Sequence, residues 1–406
     1  MNRPVILLGA GASMDAGLPD ALGLTEVVYD ELHKPEYGSQ RILFGYVISK
    51  LQARQVLSGG SPFNKVNIED AYDAILRLLS RNSDPLSEFV YSWDPILDHI
   101  KPKFNEKKFM KGIIEAIQDQ SRNRSHGLVH VNQHRLHEAA KSISEAVNSD
   151  KNIDDSSQTA AMYIDILVKI LSNPPHSIKY LDKLVSWSDR RNAIVGTLNY
   201  DMLVENSCVS NNCTWDYGLD EWSSRQFVGF KKQSINLIKL HGSINWSGTL
   251  DDIIVHDTPP EISKWHRSNA SMIFGGQDGK LRVDGPFLNL RYEFEKSLNK
   301  SNRLIIIGYS FSDAHINSIL RRWVASRNKA KMIIVNPGAV DFGLDVFQQS
   351  YTNKENERLK TVDITHIKRT AAHGIDKALE VSDSRFNPNY EHKNGFLPHI
   401  LVTRIE

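Results

Sequence analysis

Val5-Ile6-Leu7-Leu8-Gly9-Ala10-Gly11-Ala12-Ser13-Met14-Asp15-Ala16-Gly17-Leu18-Pro19 is the stretch on which the fold turns. Four aliphatic residues without polar alternation read as a strand buried on both faces, as in a parallel sheet. Glycines directly after such a strand let the backbone approach a phosphate, and a helix starting there would present its positive end to the negative charge. The spacing departs from the dinucleotide fingerprint of dehydrogenases, because its third glycine would fall at Met14, and no ATPase-type phosphate loop is present. Taken alone, the stretch is also compatible with a tight turn that holds no ligand.

Four further aliphatic runs repeat the pattern: Ala193–Gly196, Asn236–Leu240, Leu304–Ile307 and Met332–Val335. Each ends in a polar or glycine-containing turn. They are Thr197-Leu198-Asn199-Tyr200-Asp201, His241-Gly242-Ser243, Gly308-Tyr309-Ser310 and Asn336-Pro337-Gly338. Open doubly wound sheets bind ligands at the carboxyl ends of their strands, so the expectation is one crevice lined from distant parts of the chain. A histidine just past a buried strand can act as a general base near neutral pH. Asn199 can orient a water or a sugar hydroxyl, Gly308 and Ser310 can meet a ribose or phosphate, and Ser312 or Asp313 can cap the next helix. Singly, His241 reads equally as a structural histidine and Asn199 as turn chemistry.

The 406 residues are 40% apolar and 24% charged, the composition of a packed globular protein. Lys plus Arg number 49 against 48 acids, so the surface as a whole is not built for nucleic acid or an anionic membrane. No run approaches the ~20 apolar residues of a membrane span, and Val5–Leu8 is too short for a signal core. A cytoplasmic location is expected. The strand runs place an α/β domain at residues 1–34 and 188–345, a helical insertion or oligomerisation domain at 35–187, and a C-terminal extension packing on the α/β domain at 346–406. Within the insertion, Asn67-Ile68-Glu69-Asp70 opens a capped helix, Ala160–Leu171 and Ile178–Trp187 carry helical spacing, and Asn148–Ser157 reads as a loop. Lys101–His137 is basic and Glu138–Asp165 acidic, either as solvated faces or as a contact surface. His126, His130, His134 and His137 would share a helical face, read as solvated or partner-facing rather than metal-binding.

In their order and at their strand ends, these motifs resemble the sirtuin family, and more narrowly the sirtuin-like domains of bacterial anti-phage defence proteins. Gly9, Ala10, Gly11, Ser13, Gly17 and Pro19 match the family's opening motif. Asn199 and Asp201 match its Gln-Asn-x-Asp, with Leu198 in place of the glutamine. His241 and Gly242 match its catalytic His-Gly, Gly308 and Ser310 its Gly-x-Ser, and Asn336 its late asparagine. The resemblance covers about residues 4–33 and 190–337.

It implies a doubly wound, Rossmann-like parallel sheet of sirtuin type that binds NAD+. Gly9, Ala10, Gly11 and Ser13, with Pro19 in the same motif, would hold the pyrophosphate, and Gly308, Ser310 and Asn336 the adenosine side. Asn199 and Asp201 would hold the nicotinamide ribose and amide, and His241 would be the base. Deacetylating sirtuins carry two Cys-x-x-Cys pairs after the His-Gly. Here the cysteines are Cys208 and Cys213, both before His241, so neither a zinc module nor zinc is expected. The resemblance then implies an NAD+ hydrolase that depletes NAD+ during phage infection. The alternatives are an NAD-dependent deacetylase or ADP-ribosyltransferase, and a silent nucleotide-binding regulatory subunit. It further implies a homo-oligomer, a possible HerA-type ring ATPase partner, and no direct nucleic-acid or membrane partner.

Overall fold

All five aliphatic runs form strands, and they lie side by side in one parallel sheet. A computed structural model describes residues 3–61, 63–81, 85–90, 94, 153–249, 251–260, 285–327, 329–338, 361–384 and 401–405. The strands are β1 (Val5–Leu8), β2 (Ile194–Thr197), β3 (Trp215–Asp216), β4 (Ile235–Lys239), a separate hairpin of β5 (Trp246–Gly248) and β6 (Ile253–Val255), then β7 (Arg303–Ile307), β8 (Lys329–Val335), β9 (Thr361–Ile367) and β10 (Leu401–Ile405). The sheet order is β10-β9-β8-β7-β1-β2-β4-β3. The chain builds outward from β1 through β2 and then crosses to its other side at β7. That reversal makes the sheet doubly wound and places a switch point beside β1.

The strands read as unbroken aliphatic runs because both faces are covered. Val5, Ile6, Leu7, Leu304, Ile305, Ile306 and Ile307 are 0% exposed. Each fully buried side chain of this size contributes roughly 1.5–3 kcal/mol relative to an exposed one. The helices Phe287–Asn299, Ala314–Ser326 and Ala371–Asp383 bury apolar faces of their own. The C-terminal part joins the same sheet, with β9 on β8 and β10 on β9.

One local expectation holds and another needs correction. The loop after β1 leads past Pro19 to a helix, as expected. It forms two short 3-10 turns, Ala10–Ala12 and Met14–Ala16, and the first α-helix, Gly23–Glu31, starts later. Gly17, at φ 82°, ends the second turn in a left-handed conformation and Pro19 follows, while the N-terminus of the helix Ala371–Asp383 meets this loop, its Ala372 N–H donating to Asp15 Oδ2 at 2.6 Å. The correction concerns Asn148–Ser157, because a helix already runs from Ile153 to Ser172. The Asp, Asn and Ser residues that suggested a loop are also the types that start helices. The basic segment Lys101–His137, the four spaced histidines and most of Glu138–Asp165 lie outside the described residues.

The chain divides into two compact units. One comprises residues 1–27, 67–73 and 164–406, and the other 28–66 and 74–163. The second unit is helical where described. Leu43, Phe44 and Val47 of the helix Gly38–Leu57 are buried, Phe44 stacks on Tyr163 at 5.7 Å, and the Tyr163 hydroxyl donates to the Gln40 carbonyl at 2.7 Å. Among the described residues, no helix is long and apolar enough to cross a membrane.

Candidate active site at the carboxyl end of the sheet

The register carries the site residues into one row. Leu8 pairs with both Thr197 and Ile307, Thr197 with Lys239, and Ile307 with Val335. One residue further on, Gly9, Leu198, Leu240, Gly308 and Asn336 therefore line the same sheet edge. Asn199 and His241 both lie two residues past the Thr197–Lys239 rung.

The glycines in this row have a nearer purpose than a phosphate. Gly308 sits at φ 64°, and a Cβ on it would fall 2.1 Å from the Ala12 nitrogen. A Cβ on Gly9 would fall 2.7 Å from the Gly308 carbonyl oxygen, and the Gly11 N–H donates to that oxygen at 2.8 Å. The loops after β1 and β7 thus lock backbone to backbone. The N–H groups of Gly9, Ala12 and Ser13 also go to protein carbonyls, those of Ile307, Gly9 and Ala10.

Ser13, Asn199 and Asp201 form the central cluster, although Ser13 is 188 residues from Asp201 in sequence. The Ser13 hydroxyl donates to Asp201 Oδ2 at 2.6 Å. Asn199 Nδ2 lies 2.9 Å from Ser13 Oγ and 3.0 Å from the Gly9 carbonyl, donating to both. Asp201 Oδ1 accepts from the Leu203 N–H at 3.1 Å, which fixes the carboxylate from its other side. Tyr180 closes the cluster by donating to the Ala12 carbonyl at 2.7 Å. Burial, then the charges of Asp201 and Asp15, push its phenol well above the ordinary range, so it stays a donor.

A buried charged chain lies behind this cluster. Lys239 Nζ donates to the Asp201 carbonyl and lies 3.2 Å from Glu205 Oε1, with both side chains essentially unexposed. The Tyr217 hydroxyl donates to the same Glu205 oxygen at 2.8 Å. A cavity of ≈ 10 Å³, room for about one water, is bounded by Ser13, Asn199, Asp201, Glu205 and Lys239.

His241 is 3% exposed, with Nε2 3.2 Å from Asp313 Oδ2. Asp313 does two things. Its Oδ1 caps the helix Ala314–Ser326 by accepting from the His315 and Ile316 N–H groups, and its Oδ2 faces His241. Tyr200 lies beside the imidazole, its ring 6.3 Å away, and donates to Glu69 at 3.1 Å. Burial, then Glu69 and Asp313, raise its phenol strongly.

The remaining expected residues lie at the edges. Asn336 Nδ2 donates to the Tyr309 carbonyl at 3.1 Å and its Oδ1 accepts from Gly338, which holds the end of β8 to the Gly308 turn. Ser310 is exposed and bonded to Ser312, and Ala10 and Pro19 are half-buried. Among the described residues, neither Ser310 nor Pro19 is hydrogen-bonded to the Ser13–Asn199–Asp201 cluster. Reading the sequence missed Lys239, Glu205 and Tyr180, and took Asp313 only as a possible cap. A lysine closing the run Ile235-Asn236-Leu237-Ile238-Lys239 was a usable signal, because a cation at a position buried on both faces needs partners. Among the described residues, no group of three His, Cys, Asp or Glu side chains has the geometry to hold a metal ion.

A parallel sheet with a switch point beside β1, and polar residues gathered at its carboxyl edge, defines a doubly wound α/β class. Residues 193–362 match the family model described as the SIR2-like domain, a span that includes Asn199, Asp201, His241, Gly308, Ser310 and Asn336 but not the Gly9–Ser13 loop. No curated protein is detectably similar in sequence. Similar solved structures include a complex of a Sir2 homologue with NAD, at 11% identity, covering 93% of this chain and 88% of that one with a TM-score of 0.41. Another is a mutant Sir2 homologue with 2′-O-acetyl ADP ribose, at 11% identity, 94% of each chain and a TM-score of 0.38.

Proposed function

We propose that this chain is an NAD+ glycohydrolase, cleaving the nicotinamide–ribose bond to give nicotinamide and ADP-ribose. The observation that carries the reading is the carboxyl-edge row, in which the Ser13–Asn199–Asp201 cluster and His241 sit at neighbouring strand ends of a SIR2-like domain.

Nicotinamide leaves a cationic ring as a neutral molecule, so its departure needs no general acid. The protein has to orient the ribose, stabilise positive charge on it, and activate water. Asn199, held by Gly9 and Ser13, is placed to orient the ribose or the attacking water. Asp201 supplies negative charge near the developing oxocarbenium. His241 takes the proton. Nε2 lies 3.2 Å from Asp313 Oδ2, and that buried carboxylate stabilises the imidazolium that forms. NAD+ would enter along Ala10, Gly11, Gly308 and Ser310, the accessible part of the edge. Because the Gly9, Gly11, Ala12 and Ser13 N–H groups already have protein partners, pyrophosphate binding through any of those four requires the turn to re-aim it.

The absence of any cysteine after Cys213 supports water over an acetyl-lysine peptide as the acceptor. The motif wording supports a role in phage defence by NAD+ depletion. It also supports restraint of activity by self-assembly or by a HerA-type ring ATPase. Nicotinamide release from NAD+, measured by chromatography with and without acetylated peptides and the neighbouring gene product, tests this. Peptide-independent release that is lost in Asn199→Ala and His241→Ala is the expected result. Release only with acetylated peptide would make the chain a deacetylase, and binding without turnover under every condition would make it a regulatory subunit.

A further inference from the structure

The geometry points to a second ligand site at the opposite, amino end of the sheet, built for a polyphosphate-bearing molecule of nucleotide size. Six cations stand at or just before strands: Arg3 before β1, Arg190 and Arg191 before β2, Lys231 and Lys232 before β4, and Arg303 at the start of β7; a seventh, Lys331 inside β8, has its amine bonded to the Val381 and Ser384 carbonyls. Because these strands are parallel and in register, all six come to the same edge and line one open cleft of ≈ 1060 Å³. Among the described residues, no acidic side chain lines it. From outside the lining, Asp383 offsets Arg191 at 2.8 Å and Arg303 at 3.8 Å, and Asp220 pairs with Lys231.

The arrangement is not explained by packing. Arg190 and Lys232 are exposed, and among the described residues neither side chain enters a hydrogen bond or ion pair. Like charges gathered in one concavity repel, and an anion relieves that repulsion. Arg3 is held in place by the Asn192 carbonyl and by Asn236 Oδ1, so part of the charge is pre-positioned. The volume is that of a small-molecule site rather than a flat polyanion track. Phe230, half-buried in the lining, offers a ring face for a base, and Gln233 and Asn302 offer donors and acceptors for its edges.

Calorimetry on the full chain with inorganic tripolyphosphate, a probe without a nucleoside, tests the site independently of NAD+ turnover. One tripolyphosphate per chain is expected, weakened roughly tenfold or more by Arg190→Glu with Lys232→Glu, and less by the neutral pair Arg190→Gln with Lys232→Gln. Excess NAD+ should not displace it, and added salt should weaken it. ATP should bind more tightly than tripolyphosphate if Phe230 receives a base, and Phe230→Ala should remove that difference. Absence of tripolyphosphate binding at low salt, binding untouched by both charge variants, or displacement by NAD+ overturns the assignment. So does a 12-nucleotide single strand binding at these cations where tripolyphosphate does not, since the occupant would then be a nucleic-acid strand.

Discussion

At the carboxyl end of β4, Lys239 and His241 are 1% and 3% exposed and each faces a buried carboxylate, Glu205 and Asp313. Ahead of the same strand, Lys231 and Lys232 are exposed, and among the described residues the cleft they line holds no acid. One sheet therefore carries charge in two ways. At the carboxyl end, charged groups have left water and are tied to protein partners, which fixes geometry. At the amino end, the exposed cations keep most of their water, and the strands together with a few solvent-exposed partners, Asp383 and Asp220 among them, set their spacing. Removing one partner should therefore be severe at the first end and mild at the second.

The largest effect expected is on turnover. His241→Ala and Asn199→Ala should each lower nicotinamide release by roughly 10²–10⁴-fold, the usual contribution of a general base or an orienting group, with the unfolding midpoint nearly unchanged for Asn199→Ala. Next comes Lys239→Met, which leaves Glu205 buried without its cation and should cost about 3–5 kcal/mol in denaturant unfolding. Adding Glu205→Gln should recover part of that loss. A Lys239→Met chain as stable as the parent would show that the carboxyl end tolerates charge as loosely as the amino end.

Gly308→Ala should cost about 1–3 kcal/mol, because the left-handed φ and the contact with the Ala12 nitrogen both oppose a side chain. Differential scanning calorimetry reads it, and turnover should fall with it, since the Gly9–Ser13 loop leans on that residue. At the amino end, Asp383→Ala removes a partner of Arg191, Arg303 and the Trp187 indole, yet all but the indole are well exposed. About 1 kcal/mol or less is expected. Thiol labelling gives the smallest effect. Cys208 is fully buried and its thiol is pushed well up, first by desolvation, so only Cys213 should react with a maleimide before the chain unfolds.

The five strands were legible because burial on both faces leaves an unbroken aliphatic run, a signal that local sequence carries by itself. Asp201, Asn199 and His241 were legible as candidates through their place just after such runs. Their partners were harder to see. Asp313 reads as a helix cap whether or not it also faces His241, and a cap can be recognised from three residues while an ion pair across the sheet edge cannot. The glycines carried a further ambiguity. Gly9, Gly11 and Gly308 suggest phosphate contact in sequence, and only with β1 beside β7 do they prove to be packing against each other.

By itself, then, the sequence determined a parallel α/β sheet, the positions of its polar strand ends, and the absence of paired cysteines after His241, because each of these is written in neighbouring residues. The tertiary structure decided what strand order and register alone control. It brought Ser13 onto Asp201 across 188 residues, placed Asp313 on His241, and gathered Arg3, Arg190, Lys232 and Arg303 at one edge. A near-zero net charge contained no hint of that last feature, since net charge sums over the chain while a field depends on where the charges stand.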